Sequence, residues 1–268
     1  MNYPTPPSGS LANIQVWREQ KQTPGAPIGI THLGVSYRKV EALTDINCAI
    51  APGRLTGIIG PNGAGKSTLI KAMLGLTPIA SGQILYNGQP LSEQRRQVAY
   101  VPQRSQIDWT FPATVWDVVM MGRVEKTGWF KRFSAISRRL AREALERVGM
   151  SHLRDRRIGD LSGGQQQRVF LARSLAQQAQ IYCFDEPFVG IDQKTENIIF
   201  EIFHELADEG KTVLVVNHDL GASITNFDDL ILLNRELIAS GSRQQVLNEH
   251  NLDRAYGGKV VFFSGEAA

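Results

Sequence analysis

Apolar and polar positions alternate over Ile28–Tyr37 and again over Leu43–Ile50, with a polar turn between. A period of two predicts two half-buried strands. Leu55–Ile59 is a short apolar run that ends in a glycine-rich loop. Lys66–Leu74 then has helical spacing, with Gly75 placed to cap it. Gln83–Tyr86 and Val98–Val101 are predicted as two further short strands.

From about residue 114 to 178 the strand character is lost. Val115–Met121, Ser137–Val148 and Gln165–Ala176 carry apolar residues at helical spacing. Strand signals return at Ile181–Phe184, Val213–Val216 and Leu230–Leu233, with a helical Thr195–Asp208 between the first two. The expectation is one composite α/β domain over 28–250 with a helical insertion, not two independent domains. Residues 1–27, with Pro4, Pro6, Pro7, Pro24 and Pro27, read as a tail with one helical turn at Ile14–Arg18. Residues 251–268 read as an extension in which Val260–Phe263 is either an edge strand or a surface segment.

Composition narrows the class without naming it. The chain has 268 residues, 42% hydrophobic and 21% charged, which suits a globular core and excludes wholesale disorder. A net charge of +3 is too mild to argue for a nucleic-acid partner. No run approaches the ~18 apolar residues of a membrane span. The first residues lack the basic-then-apolar order of a secretory signal. Two cysteines, Cys48 and Cys183, far apart in sequence, read as reduced thiols. The five histidines (32, 152, 204, 218 and 250) are dispersed and form no metal-ligand motif.

Candidate chemistry starts at Gly60-Pro61-Asn62-Gly63-Ala64-Gly65-Lys66-Ser67-Thr68. This is G-x-x-x-x-G-K-[ST] between an apolar strand and a helix. The glycines let backbone N–H groups turn in toward phosphate oxygens, and the helix N-terminus adds partial positive charge. Lys66 is placed to reach the terminal phosphates and Ser67 to ligate Mg²⁺. The motif alone leaves a small-molecule kinase, a GTPase, a helicase or a transporter motor open. A second signal follows the apolar run Ile181–Phe184. Asp185 is the candidate Mg²⁺ ligand, and Glu186 the candidate base that orients the attacking water.

A third element is Leu161-Ser162-Gly163-Gly164-Gln165, a second anion cradle at a helix start, followed by Gln166, Gln167 and Arg168. With this order of motifs the chain resembles the ATP-binding subunits of ABC transporters over roughly 28–245. The resemblance implies an ATPase of the P-loop fold: a mixed sheet core, an N-terminal antiparallel subdomain and the helical insertion at 114–178. It implies that Tyr37 stacks on adenine, that Gln103 touches Mg²⁺ and links to the helical insertion, and that His218 contacts the γ-phosphate. Asp192 matches the aspartate at the dimer seam. Here it stands in Val189-Gly190-Ile191-Asp192, where the commoner pattern is Ser-Ala-Leu-Asp.

The same resemblance implies ATP and Mg²⁺ as cofactors and a head-to-tail pairing of two nucleotide domains, as a homodimer or with a second such domain. It also implies a separate membrane permease, an extracytoplasmic metal-binding protein, no nucleic acid, and a peripheral place on the cytoplasmic face of the cell membrane. Ser105–Arg123 and Val189–Asp192 look like the branch importing manganese, zinc or iron, with manganese the nearest match. Zinc, iron or iron-chelate import stands as the alternative, and a soluble ABC ATPase of DNA repair or translation stands behind it. An exporter motor and a metabolite kinase are further rivals. One feature is outside the family pattern. Arg123–Arg157 holds eleven Lys/Arg and four Asp/Glu. This basic stretch reads either as a solvated face or as a surface for anionic lipid headgroups.

Overall fold

The computed structural model describes residues 27–258, apart from Lys39, Trp129, Phe130 and Asp219. The expected turn at Ile14–Arg18 and the segment Val260–Phe263 lie outside the described residues.

Among the described residues ten strands form two sheets. Strands β1 (Ile28–Tyr37), β2 (Val40–Ile50), β4 (Ser81–Tyr86) and β5 (Gln89–Pro90) make an antiparallel sheet in the order β2-β1-β4-β5. The second sheet contains β3 (Arg54–Ile59), β6 (Val98–Val101), β7 (Ile181–Asp185), β8 (Thr212–Val216), β9 (Asp229–Asn234) and β10 (Glu236–Ser242). Its order is β10-β9-β3-β8-β7-β6, parallel except for the β9–β10 hairpin. β7 and β8 are buried throughout, and β3 from Leu55 onward. That is why these strands appear as continuous apolar runs, whereas β1 and β2 alternate.

Helices α1 (Lys66–Met73), α6 (Gln193–Asp208), α7 (Arg243–Val246) and α8 (Glu249–Tyr256) accompany the sheets. The helical insertion contains α2 (Val115–Met121), α3 (Val124–Thr127), α4 (Ala135–Arg147) and α5 (Gly163–Gln177). Two apolar cores result. One is built from α2, α4, α5 and α6 with one face of the parallel sheet. The other lies between α1, the opposite face and the antiparallel sheet. The large sheet is therefore covered on both faces.

The pattern-based elements lie where expected, with ends shifted by one or two residues. β2 starts three residues early, at Val40. Five pieces carried no usable signal: β5, β10, α3, α7 and α8. The first is two residues long, and β10 is polar and half-exposed because it is an edge. Helix α8 crosses the expected boundary at residue 250. Leu252 and Ala255 are buried, and the Asn234 side-chain amide donates to the Ala255 carbonyl at 3.0 Å. The packed unit thus runs through Tyr256, a correction to the expected start of an extension at 251.

Candidate nucleotide site

Strand β3 delivers the phosphate loop, and α1 leaves it. Gly60 has φ 144°, and a side-chain carbon there would meet the Leu233 carbonyl oxygen at 2.0 Å. Gly65 has φ 94°, and its added carbon would meet Leu43 at 2.5 Å and the Ala42 carbonyl at 2.7 Å. Both are positions only glycine occupies without displacing backbone. The loop is held from outside by Arg235, whose backbone N–H donates to the Ala64 carbonyl at 2.9 Å. No acidic residue stands in the first turn of α1 itself; the carboxylates that face this end come from β7 and the residue after it.

Lys66 is buried, and its Nζ donates to the Gly60 carbonyl at 2.7 Å and to the Pro61 carbonyl at 2.9 Å. Burial pushes the ammonium below its ordinary pKa, while the charges of Glu186 and Asp185 oppose that fall. Next to it, the Ser67 hydroxyl donates to Asp185 Oδ1 at 3.0 Å. Asp185 is 1% exposed at the end of β7. Burial raises its carboxyl above the usual range, the Ser67 bond lowers it, and neighbouring Glu186 raises it further. A hydroxyl and a carboxylate this close form a hard oxygen pair of the kind that suits Mg²⁺.

Glu186 has φ 51°, a left-handed conformation that a side-chain-bearing residue holds at a cost of roughly 1–2 kcal/mol. Its N–H donates to the Val216 carbonyl at 3.2 Å, which ties this turn to β8. The Gln103 side-chain amide donates to Glu186 Oε2 at 2.5 Å. Strain of this type collects where a side chain must be aimed. His218 is exposed, two residues past the end of β8. Tyr37 closes β1 with its ring 45% exposed and its hydroxyl 3.1 Å from Thr77 Oγ1, which leaves ring surface free to stack.

The second cradle has its own framework. Ser162 caps α5 in a reciprocal box: its Oγ accepts from Gln165 N–H at 3.3 Å, and Gln165 Oε1 accepts from Ser162 N–H at 2.9 Å. Gln165 therefore shapes the cradle. A side chain at Gly163 would meet the Gly190 carbonyl at 3.2 Å, and one at Gly164 would meet Thr195 Oγ1 at 3.0 Å. Asp192 caps α6, accepting from the Thr195 N–H and hydroxyl at 3.0 Å each, and these bonds hold its carboxyl below the usual range.

The structure thus brings Lys66, Ser67, Gln103, Asp185 and Glu186 into one cluster. Ser162–Gln165 and Asp192 form a second cluster, which no hydrogen bond joins to the phosphate loop among the described residues. The link between them is Arg104, which follows Gln103 in the chain. Its guanidinium donates to Gln166 Oε1 at 2.8 and 3.3 Å and lies over Trp109 at 5.4 Å. Sequence reasoning missed Arg104, Gln166, Arg235 and Tyr100, the last with its hydroxyl 3.5 Å from Asp185. For Arg104 the one available signal was its place beside Gln103. Arg235 acts through its backbone and gave none.

A family model described as ABC transporter matches residues 43–189. The chain belongs to the ABC transporter family. This ABC protein is 49% identical over 233 residues to the zinc transport system ATP-binding protein TroB of Treponema pallidum, covering 87% of this chain and 88% of that one. It is 48% identical over 236 residues to the manganese transport system ATP-binding protein MntB of Bacillus subtilis, covering 88% and 94%. Among solved structures it resembles the ADP conformation of MJ1267, an ATP-binding cassette of an ABC transporter. That match has a TM-score of 0.75 and 25% identity, over 87% of this chain and 98% of that one. As a member of this family the ABC protein binds ATP and is an ATPase. No helix among its described residues is long and apolar enough to cross a membrane.

Proposed function

We propose that this chain is the ATP-hydrolysing motor that drives import of a divalent transition metal, manganese first, through a separate membrane permease. The observation that carries the motor reading is the Lys66–Ser67–Asp185–Glu186–Gln103 cluster at the end of β3 and β7. Lys66 and the loop N–H groups bind the β- and γ-phosphates, and Tyr37 stacks on the adenine. Glu186 takes the proton of the water that attacks the γ-phosphorus, and His218 contacts the γ-phosphate. Ser67, Asp185 and Gln103 would hold Mg²⁺, which neutralises phosphate charge when bound.

Among the described residues no hydrogen bond joins the second cradle to the phosphate loop of its own chain, which supports a role toward another copy. In this reading Ser162, Gly163 and Gly164 grip the γ-phosphate bound by a second copy, with Asp192 at the seam. ATP is the glue of that dimer, and loss of the γ-phosphate opens it. The expected setting is the cytoplasmic face of the membrane, beside the permease, with an extracytoplasmic protein collecting the metal.

The manganese assignment rests on the likeness of Ser105–Arg123 and Val189–Asp192 to that branch. A zinc cargo is the second reading, favoured by the 49% identity to a zinc-system relative. The test is total cellular manganese, zinc and iron under metal limitation, in cells whose copy carries Glu186→Gln, against the parent. A selective fall in manganese is expected. A selective fall in zinc reassigns the cargo, and no fall in any of the three overturns metal import.

A further inference from the structure

We infer that the start of α4 and the residues just before it form a docking surface for anionic phospholipid headgroups. Lys131, Arg132, Arg138, Arg139 and Arg142 are all exposed, and residues 131–142 contain no carboxylate. Arg139 reaches Glu143 at a loose 3.8 Å. Among the described residues no carboxylate stands within ion-pair distance of Lys131, Arg132, Arg138 or Arg142. Ile136, in the midst of these cations, is 60% exposed, one of the more exposed large apolar side chains of the molecule.

The helix explains the geometry. Leu140, Ala141, Ala144 and Leu145 face the core, so Arg138, Arg139 and Arg142 share the opposite side. Phe133 packs inward just before the helix, which fixes the segment carrying Lys131 and Arg132 to the body. The far end of the same helix is arranged differently: Arg147 pairs with Glu205 at 2.8 Å and Glu209 at 2.9 Å. Position adds a second argument. Helix N-termini favour negative charge, yet α4 has no acidic residue in its first turn and carries Arg138 and Arg139 next to it. Helix stability therefore does not account for the placement.

An exposed set of long cations with one exposed apolar side chain between them in sequence suits a fluid anionic surface. Arg and Lys reach headgroups on flexible stems while Ile136 enters the interface. This inference rests on the proposed motor, which works at a membrane. It adds a lipid contact to the permease contact.

The test uses the full-length chain. Flotation is measured with phosphatidylcholine vesicles and with vesicles enriched in phosphatidylglycerol, at low salt and at about 0.5 M salt. Binding to the anionic vesicles alone, lost in high salt, is expected. Arg138→Gln/Arg139→Gln/Arg142→Gln should lower partitioning on the order of a hundredfold, at about fivefold per cation. The triple lysine variant should keep most of it, and Ile136→Ser should lower it. Equal binding of the glutamine and native proteins overturns the inference. So does unchanged vesicle binding alongside lost permease association, which would assign the patch to the protein partner. ATPase activity in the same samples is expected to be unchanged. Intact hydrolysis without lipid binding refutes the patch alone, and absent hydrolysis in the native protein refutes the motor alone.

Discussion

The Gln103 side-chain amide donates to the Glu186 carboxylate at 2.5 Å. This bond joins the segment between β6 and the helical insertion to the residue assigned as the base. The next residue, Arg104, reaches the helix that carries the second cradle. Glu186 and Gln166 are therefore held by two neighbouring side chains of one short segment.

Glu186→Gln keeps the shape of this contact and removes the proton acceptor. Hydrolysis should fall by about 10²- to 10⁴-fold, the usual share of a positioned base. ATP affinity should stay near native, because the phosphate loop is untouched, and ATP should hold the protein as a dimer. Single-turnover hydrolysis and size-exclusion chromatography with ATP check this. Native-like turnover would remove Glu186 from the role.

Asp185→Asn tests the cost of the buried carboxylate. Its folded pKa is raised by burial, so the native state holds the proton more tightly than the unfolded chain. Stability from this group is present at low pH. It is lost as pH rises from the unfolded value of 3.8 through the folded one. At neutral pH the nucleotide-free Asn variant should therefore melt higher than the native protein, by about 2–4 °C per kcal/mol relieved. It should also lose the added stabilisation by Mg²⁺ with ATP. Thermal melts from pH 4 to 8 read both effects. A variant that melts lower at neutral pH would refute this.

Arg104→Met removes the guanidinium that ties the residue after Gln103 to Gln166. The ATP KM should change little, whereas kcat and the cooperativity in ATP should fall, kcat by about fivefold or more, as for a modest coupling energy. Arg104→Lys should recover part of it. A rise in KM with unchanged kcat would make Arg104 a simple binding residue.

The short motifs were legible because each is a local physical requirement. Gly60 and Gly65 are fixed by backbone angles and close approach, Lys66 by the loop it follows, and Ser162 and Gln165 by a capping box four residues long. Asp185 was legible from the buried strand before it. The parallel strands were legible because burial on both faces leaves an apolar run. β10, α7 and α8 were not, since their signals are short and half-polar and they exist by packing on β9.

The amino-acid sequence by itself determined the candidate chemistry: a glycine-rich loop of the anion-binding pattern, a carboxylate pair, a candidate second cradle and a basic helix. Each is written in neighbours along the chain, where backbone sterics and capping act. Only the tertiary structure decided which of these meet. Ser67 and Asp185, or Gln103 and Glu186, are joined across the sheet by strand order. Strand order comes from global burial, which no local pattern records. The same packing set the second cradle on Arg104, Gly190 and Thr195, and left Lys131–Arg142 with no carboxylate partner among the described residues beyond the one loose contact of Arg139.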